Sequence, residues 1–272
     1  MDAPLIPANL YDCPVVESRP VGAYRLLSLV AREVASLARP GQFMMVRAAG
    51  QSLDPLLPRP ICVHEIDSDL VKVLIEPVGR GTVSLADLRV GDRLSVLGPL
   101  GNGFDITASG PALVVGGGIG AAPLAFLARA LAERGREVRC LLGFRTRGQA
   151  VAGKLFRDVE VDIFTEDGSM GKQGLISEPL PGCLAEMGSG PRGEGADSSG
   201  QEGAEIFACG PDPMLAAVTR VARDCGAPAQ LSVAAHMACG VGACQGCVIN
   251  TTSGYRRVCS EGPVFAAGEI AW

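Results

Sequence analysis

Four cysteines near the end of the chain follow the spacing C-x4-C-x2-C-x11-C. They are Cys239, Cys244, Cys247 and Cys259. A loop of this spacing with a later fourth cysteine is typical of proteins that hold a 2Fe-2S cluster through thiolates. The residues between the first three cysteines are nearly all small, so the backbone can wrap closely around the sulfide atoms and direct N–H groups at the cluster. The pattern therefore predicts a protein that transfers electrons one at a time.

Two other uses of these cysteines stay open. A zinc site usually pairs two C-x2-C units, and only Cys244 and Cys247 form such a unit here. Disulfides are typical of secreted proteins, but residues 1–20 lack the charged start and continuous apolar run of a secretory signal. We therefore expect a cytoplasmic protein whose ten cysteines serve as metal ligands and buried thiols.

Length and charge limit the classes of protein to consider. At 272 residues, with 47% of them hydrophobic, the chain exceeds the roughly 100–200 residues of one domain and predicts two or three units. A net charge of −5 without a basic stripe argues against nucleic acid and anionic membranes as partners. The most apolar stretch, from Leu113 to Leu127, is interrupted by glycines and a proline, so no span across a bilayer is predicted.

The pattern of apolar residues changes near residue 110. Before it, short apolar runs separated by Gly, Pro and Asp predict an antiparallel barrel or sandwich; examples are Gln42–Arg47, Leu70–Ile75 and Arg93–Leu97. After it, alternating strands and helices predict a parallel sheet with helices on its faces. The predicted strands are Ala112–Val115, Glu137–Gly143, Val159–Thr165 and Ile206–Ala208, and the predicted helices are Pro123–Arg134 and Pro213–Cys225.

We predict three units from these patterns. They are a β-barrel over 1–108, an α/β domain over 109–228 and the cysteine segment over 229–272. A stretch at about 187–204 is rich in Gly, Ser and charge, which predicts a disordered surface loop inserted in the second unit.

A glycine-rich turn joins the first predicted strand of the second unit to its helix. It reads Gly116-Gly117-Gly118-Ile119-Gly120-Ala121-Ala122-Pro123. In this context glycines let a pyrophosphate approach the backbone N–H groups at a helix N-terminus. Pro123 stands where the ordinary dinucleotide fingerprint has glycine, so a tight turn that binds nothing is the alternative.

A second turn of this kind reads Ala208-Cys209-Gly210-Pro211-Asp212. It also follows a predicted strand, and ligands of open α/β sheets collect outside the carboxyl ends of the strands. Cys209 is therefore a candidate to lie beside a nicotinamide ring. A buried structural thiol is the other interpretation of this lone cysteine.

The predicted barrel contains three further motifs, Pro58–Cys62, Gly79–Thr82 and Gly98–Phe104. Arg59 is held between two prolines, and a rigid cation suits a cofactor phosphate or an electron-rich ring. The glycines allow close backbone approach. Each piece taken alone is also compatible with an ordinary turn of a β-domain.

In this order, the motifs closely resemble the electron-transfer subunits of class 1B dihydroorotate dehydrogenase, within the ferredoxin–NADP reductase superfamily. The resemblance runs from about Val15 to Phe265 and includes Val258-Cys259-Ser260-Glu261-Gly262-Pro263-Val264-Phe265. It implies a multi-domain protein with an antiparallel FAD-binding β-barrel, a Rossmann-like NAD-binding parallel α/β domain and a small C-terminal 2Fe-2S segment.

The resemblance also implies which residues contact each cofactor. For FAD these are Arg59, Pro60, Ile61, Cys62, Gly81 and Thr82, with Leu74, Ile75 and Glu76 where relatives often carry Ile-Tyr-Arg. For NAD(H) they are Gly116, Gly117, Gly118, Gly120, Pro123, Cys209, Gly210 and Pro211. Cys62 replaces the usual serine, which places a weaker hydrogen-bonding group near the flavin. Arg145 and Arg147 suit a 2′-phosphate or solvent equally, and the resemblance alone favours NADH.

By the same resemblance, the chain relays electrons between NAD(H) and a partner in pyrimidine biosynthesis. The implied partner is a catalytic subunit with FMN, in a heterotetramer containing two copies of each subunit. This chain is not expected to oxidise dihydroorotate alone. One alternative is a flavin and 2Fe-2S reductase subunit of another complex, such as a bifurcating transhydrogenase or a sulfur-reducing hydrogenase, since one fold hosts several functions. The other is a non-catalytic zinc-binding assembly module.

Overall fold

The computed structural model describes residues 9–48, 54–189 and 203–272. The insertion predicted at about 187–204 falls largely outside these described residues. The described chain forms two seven-stranded sheets and one two-stranded hairpin. None of the described helices is long and apolar enough to cross a membrane.

The first sheet is an open antiparallel barrel. Its elements are β1 (Asn9–Val21), β2 (Tyr24–Val30), α1 (Arg32–Leu37), β3 (Phe43–Ala48), β4 (Arg59–Cys62), β5 (Glu65–Asp67), β6 (Leu70–Ile75), α2 (Arg80–Ala86) and β7 (Arg93–Leu100). The strand order is β4-β3-β7-β1-β2-β6-β5. Strand β1 pairs first with β7 and then with β2, and its register with β2 shifts between Val15 and Glu17. Such a shift bends a strand, so β1 carries the sheet around a core that contains Leu27 and Val73.

The second half of the chain is an α/β unit with a hairpin. Its elements are β8 (Ala112–Gly117), α3 (Ala121–Glu133), β9 (Val138–Phe144), α4 (Arg147–Ala150), β10 (Glu160–Thr165), β11 (Lys172–Gln173), α5 (Leu180–Glu186), β12 (Glu205–Cys209), α6 (Asp212–Cys225), β13 (Ala229–Ser232), β14 (Val248–Thr251), β15 (Gly254–Arg257), α7 (Val258–Glu261) and β16 (Val264–Ala266). The four predicted strands and two predicted helices are confirmed to within two residues at each end.

The second sheet has the order β11-β10-β9-β8-β12-β13-β16. All its pairs are parallel except the last, in which β16 runs antiparallel to β13. Strand β8 is buried along its whole length, as expected for a parallel strand covered on both faces. Helix α3 buries Leu124, Leu127 and Leu131, which recur every three or four residues and form its apolar face.

The cysteine segment is continuous with this second sheet. The chain leaves the sheet after β13, forms the cysteine loop, the hairpin β14–β15 and α7, and returns to the sheet as β16. The boundary predicted at residue 229 therefore falls within the sheet. Val258 and Phe265 share one buried core with Leu231 of the second sheet and Phe43 of the barrel, so the segment packs against both larger units.

A buried ion pair fixes the connection between the two sheets. The side chain of Arg136 is 2% exposed and lies 3.2 Å from the carboxylate of Glu205. Arg136 Nε also donates to the carbonyl of Gly110 at 2.6 Å, in the segment between β7 and β8. Gln230 Nε2 donates to Glu205 at 2.8 Å and to the carbonyl of Asp105 at 2.7 Å. The same network thus ties the interdomain connection to β12 and β13.

Candidate functional site

The cysteine loop directs backbone N–H groups at the sulfur atoms. The N–H groups of Val241 and Cys244 each lie 3.4 Å from Cys239 Sγ. Gly242 N lies 3.1 Å from Cys259 Sγ, and Cys259 N lies 3.4 Å from Cys247 Sγ. Gly242 has a φ of 79°, a conformation that glycine adopts readily. Three of the four sulfur atoms, those of Cys239, Cys247 and Cys259, therefore have a backbone donor.

Two elements bring the fourth cysteine to this loop. The N–H of Val258 donates to the carbonyl of Cys247 at 3.0 Å, which fixes the start of α7 beside the loop. Arg257 is the last residue of β15, and its Nε donates to Glu261 at 2.9 Å across one turn. Cys247 and Cys259 are each 2% exposed, whereas Cys244 faces solvent. The four thiols thus run from the protein interior to its surface.

The hydrogen bonds to these thiols fit an iron–sulfur cluster. Four thiolates hold a 2Fe-2S cluster, and hydrogen bonds to sulfur help to set its potential. The backbone N–H groups at the sulfur atoms of Cys239, Cys247 and Cys259 are donors of this kind. The four thiols and their N–H donors therefore match the chemistry of such a group.

The loop also packs directly on the barrel. A side chain at Gly240 would clash with Met45 of β3, and Met45 is paired with Pro60 of β4. Asn102 Nδ2, just after β7, donates to the carbonyl of Glu261 at 3.1 Å. The four cysteines therefore sit against the strand pair that carries the predicted flavin contacts.

A cleft of about 860 Å³ lies between the barrel and the second sheet. Twelve of the predicted cofactor residues line it: Pro60, Ile61, Cys62, Leu74, Glu76, Gly117, Gly118, Gly120, Pro123, Cys209, Gly210 and Pro211. Burial raises the pKa of Cys209 to about 11 and that of Cys62 to about 12. Both thiols are therefore protonated at neutral pH and line the cleft as neutral groups.

The dinucleotide side of the cleft is the point where the strand order reverses. From β8 the chain builds the sheet outward through β9 and β10, and later returns to place β12 on the other side of β8. Open α/β sheets bind ligands in the crevice outside the carboxyl ends of strands at such a point. The turn Gly118–Gly120 and the turn after Cys209 meet there, since a Cβ on Gly120 would lie 2.5 Å from the carbonyl oxygen of Cys209.

Gly120→Ala should therefore disturb the cleft. The added methyl group would meet backbone atoms, which cannot move aside as a side-chain end can, and overpacking of this kind costs about 1–3 kcal/mol. We expect a lower midpoint of thermal unfolding and at least about tenfold weaker NAD+ binding by calorimetry. Gly182→Ala is the matched control, because a Cβ there meets nothing within 4 Å in α5 and alanine favours a helix. Equal binding by the Gly120 variant and the wild type would contradict the assignment.

Five predicted cofactor residues do not line the cleft, namely Arg59, Ile75, Gly81, Thr82 and Gly116. Ile75 is 1% exposed and lies in the barrel core, so its side chain does not reach the cleft. The guanidinium of Arg59 lies against Gly81, where any side chain would clash with it. Thr82 Oγ1 accepts the N–H groups of Val78 at 3.0 Å and Gly79 at 3.1 Å at the start of α2. Arg59, Gly81 and Thr82 thus form one structural group beside the cleft.

The sequence analysis did not identify several residues that line the cleft. They include Gln149, Glu166, Leu175, Ile176, Ser177, Met214 and Ala234. Glu166 directly follows β10, and the rule that ligands collect at the carboxyl ends of parallel strands would have identified it. Gln149 and Met214 lie in α4 and α6, the remaining residues lie in connections, and the tertiary fold decides which of them reach the cleft.

Comparison with known proteins agrees with this geometry. Residues 234–271 match the family model described as the iron–sulfur cluster binding domain of dihydroorotate dehydrogenase B. The dihydroorotate dehydrogenase B (NAD(+)) electron transfer subunit of Geobacillus thermodenitrificans is 39% identical over 90% of this chain and 91% of its own length. The subunit of the same name from Clostridium acetobutylicum is 35% identical over 85% and 86%.

Solved structures extend the comparison to the fold. The NADH-dependent reduced ferredoxin-NADP oxidoreductase matches with a TM-score of 0.80 and 26% identity, over 96% of this chain and 90% of that chain. A Neisseria gonorrhoeae ferredoxin NADP+ reductase with bound FAD and NADP shares the fold, with a TM-score of 0.62 and 15% identity over 80% and 92%. On the identity and coverage of the curated relatives, the chain belongs to the family of dihydroorotate dehydrogenase B electron transfer subunits.

Proposed function

We propose that this chain carries electrons between NAD(H) and a partner flavoprotein, through FAD and a 2Fe-2S cluster that it binds. One observation carries the proposal: the cysteine loop packs against Met45 of β3, and Met45 is paired with Pro60 of β4, which lines the cleft. When bound, FAD would convert the two-electron chemistry of nicotinamide into the single electrons that an iron–sulfur cluster accepts. The protein supplies the relative positions of the cofactors and the charges around them.

Different residues of the chain would bind the flavin ring, the cofactor phosphates and the cluster. Pro60, Ile61, Cys62 and Leu74 offer an apolar wall of the cleft to a flavin ring. Arg59 beside Gly81 supplies a cation for the cofactor phosphates. The backbone of the Gly117–Gly120 turn offers room for the dinucleotide pyrophosphate. Cys239, Cys244, Cys247 and Cys259 would hold the cluster.

We further propose that the partner is a catalytic dihydroorotate dehydrogenase subunit that carries FMN, in an assembly with two copies of each subunit. The names of the curated relatives call them electron transfer subunits of that enzyme, which supports such a partner. The docking face would be the exposed side of the cysteine segment. Val241, Cys244, Val248 and Tyr255 are exposed there, and Tyr255 is 79% exposed. Apolar and aromatic side chains exposed together are typical of an interaction surface.

Co-purification tests the proposal. The tagged chain, isolated from its own cells, should bring down a protein that contains FMN, and the complex should reduce NAD+ with dihydroorotate. The isolated chain should show flavin and iron–sulfur absorbance and reduce ferricyanide with NADH, but should not oxidise dihydroorotate. A different partner without orotate-linked activity would favour a reductase subunit of another complex, which the likeness to the NADH-dependent reduced ferredoxin-NADP oxidoreductase makes the second candidate.

Tyr255→Ala tests the docking face. We expect at least about tenfold weaker capture of the partner, because aromatic residues at the centre of an interface often contribute 2 kcal/mol or more. Iron and flavin content should stay at the wild-type values, since Tyr255 is a solvent-facing residue of β15. Leu10→Ala is the control, a 71% exposed apolar side chain on β1 of the barrel. Capture equal to that of the control variant would exclude this face.

A further inference from the structure

The loop and short helix after β9 are held by the barrel. The N–H of Ala23, in the turn between β1 and β2, donates to the carbonyl of Gly148 in α4 at 2.7 Å. Any side chain at Gly22 would clash with that carbonyl. Beneath α4, Ala150 shares a buried apolar cluster with Tyr24 of β2. The barrel therefore supports α4 by backbone and by apolar packing.

One side chain of α4 links the barrel to the preceding loop. Gln149 Nε2 donates to Glu76 Oε1 at 3.0 Å, and Gln149 Oε1 accepts the N–H of Arg145 at 3.2 Å. Both ends of the amide are used, and the carboxylate acceptor fixes which end carries the N–H donors. Glu76 directly follows β6 of the barrel, whereas Arg145 directly follows β9 of the second sheet. The amide thus bridges the two walls of the cleft.

The Arg145 loop is anchored at its other end to the connection between β10 and β11. Arg147 N donates to Ser169 Oγ at 2.7 Å, and Ser169 Oγ donates to Asp167 at 2.6 Å. Glu76, Arg145 and Gln149 all line the cleft. Since β9 neighbours β8, the loop lies at the strand ends where a dinucleotide would bind. Its position therefore depends on the barrel through Glu76 and Gln149.

We propose that Glu76 and Gln149 are positioning residues for the dinucleotide, which hold the Arg145–Arg147 loop in its binding conformation from the flavin side of the cleft. The inference rests on the proposed function. The carboxylate of Glu76 acts on the opposite wall of the cleft through Gln149. The charge-assisted bond is stronger than a neutral one, so it orders the loop before the ligand arrives and lowers the cost of binding.

NAD+ titrated calorimetrically into the oxidised, FAD-loaded protein tests this without turnover. Glu76→Ala and Gln149→Ala should each weaken NAD+ binding about tenfold, as loss of one hydrogen bond to a charged group does. The double variant should be no weaker than either single variant, because both break one link. Glu76→Gln keeps an acceptor and should bind within about threefold of the wild type. In steady state with ferricyanide, KM for NADH should rise while kcat stays unchanged.

Two controls separate positioning from a structural role. Glu160→Ala removes an exposed carboxylate at the start of β10 and should leave NAD+ binding unchanged. Flavin content and the midpoint of thermal unfolding should match the wild type in every variant, because packing and backbone bonds also hold α4. Two results for Glu76→Ala would overturn this inference but leave the proposed function standing. One is NAD+ binding within twofold of the wild type. The other is weaker binding that occurs only together with lost flavin or a lower midpoint of unfolding. A wild-type protein that binds no NAD+ would overturn the proposed function as well.

Discussion

Cys244→Ala is expected to remove the iron and its visible absorbance while leaving FAD at the wild-type ratio to protein. Thiolates hold such clusters, and loss of one of four ligands opens the site. Cys244 is the exposed member of the set, so its truncation creates no cavity and the loss can be attributed to ligation. The apolar wall proposed for flavin is formed by β4 and β6, and no residue of the cysteine loop contributes to it, so flavin binding should be unaffected. Iron analysis and the visible spectrum measure both cofactors at once.

The control replaces four cysteines outside the loop with alanine, namely Cys13, Cys140, Cys183 and Cys225. All four are buried, and burial raises the pKa of Cys13 to about 11 and that of Cys140 to about 12. Cys13 and Cys140 are therefore neutral thiols, and all four buried side chains pack as small apolar groups. The folded fourfold variant should keep its iron. Iron lost from that variant, or flavin lost in step with iron from Cys244→Ala, would contradict the separation of the two sites.

Arg136→Met should lower the free energy of unfolding by about 3–5 kcal/mol, because it leaves the carboxylate of Glu205 buried without its cation. The guanidinium also donates to the backbone carbonyl of Gly110, so the segment between the two sheets loses an anchor. Denaturant unfolding, followed by the flavin signal and by circular dichroism, measures both the loss and any separation of the two units.

The pair Arg136→Met with Glu205→Leu tests the cause. Replacing both members of a buried ion pair with apolar residues is often close to neutral, and Gln230 keeps its bond to the carbonyl of Asp105. The double variant should therefore recover most of the lost stability. Arg93→Met removes an exposed ion pair with Asp12 and should cost about 1 kcal/mol or less. A double variant as unstable as Arg136→Met would show that packing by Arg136 matters more than its charge.

Local patterns made much of this protein predictable. The cysteine spacing, the glycine turn before α3 and the buried run of β8 each depend on residues close together in the chain. Strand alternation would also have excluded Ile75 from the cleft, since neighbouring side chains of a strand point to opposite faces. Leu74 and Glu76 line the cleft whereas Ile75 packs in the barrel core. The resemblance grouped Leu74, Ile75 and Glu76 as one motif. The two-residue period of a strand instead places Ile75 on the opposite face from the other two.

What the sequence did not predict depends on contacts between distant residues. Asn102 bonds to Glu261 across 159 positions, and Gln149 bonds to Glu76 across 73. Strand β16 has three residues, too few for a periodic signal, and it is a strand because β13 offers an unpaired edge. Long-range contacts of this kind leave no local pattern, although they join the cysteine segment to both larger units and the barrel to α4.

The return of the chain at β16 makes the cysteine segment a self-contained excursion from the second sheet. The cysteine segment departs and re-enters the second sheet at two adjacent strands, β13 and β16, so its ends lie side by side. A segment inserted in this way can be lengthened, exchanged or lost without altering the order of the other strands, as insertions at neighbouring points of a stable scaffold are well tolerated.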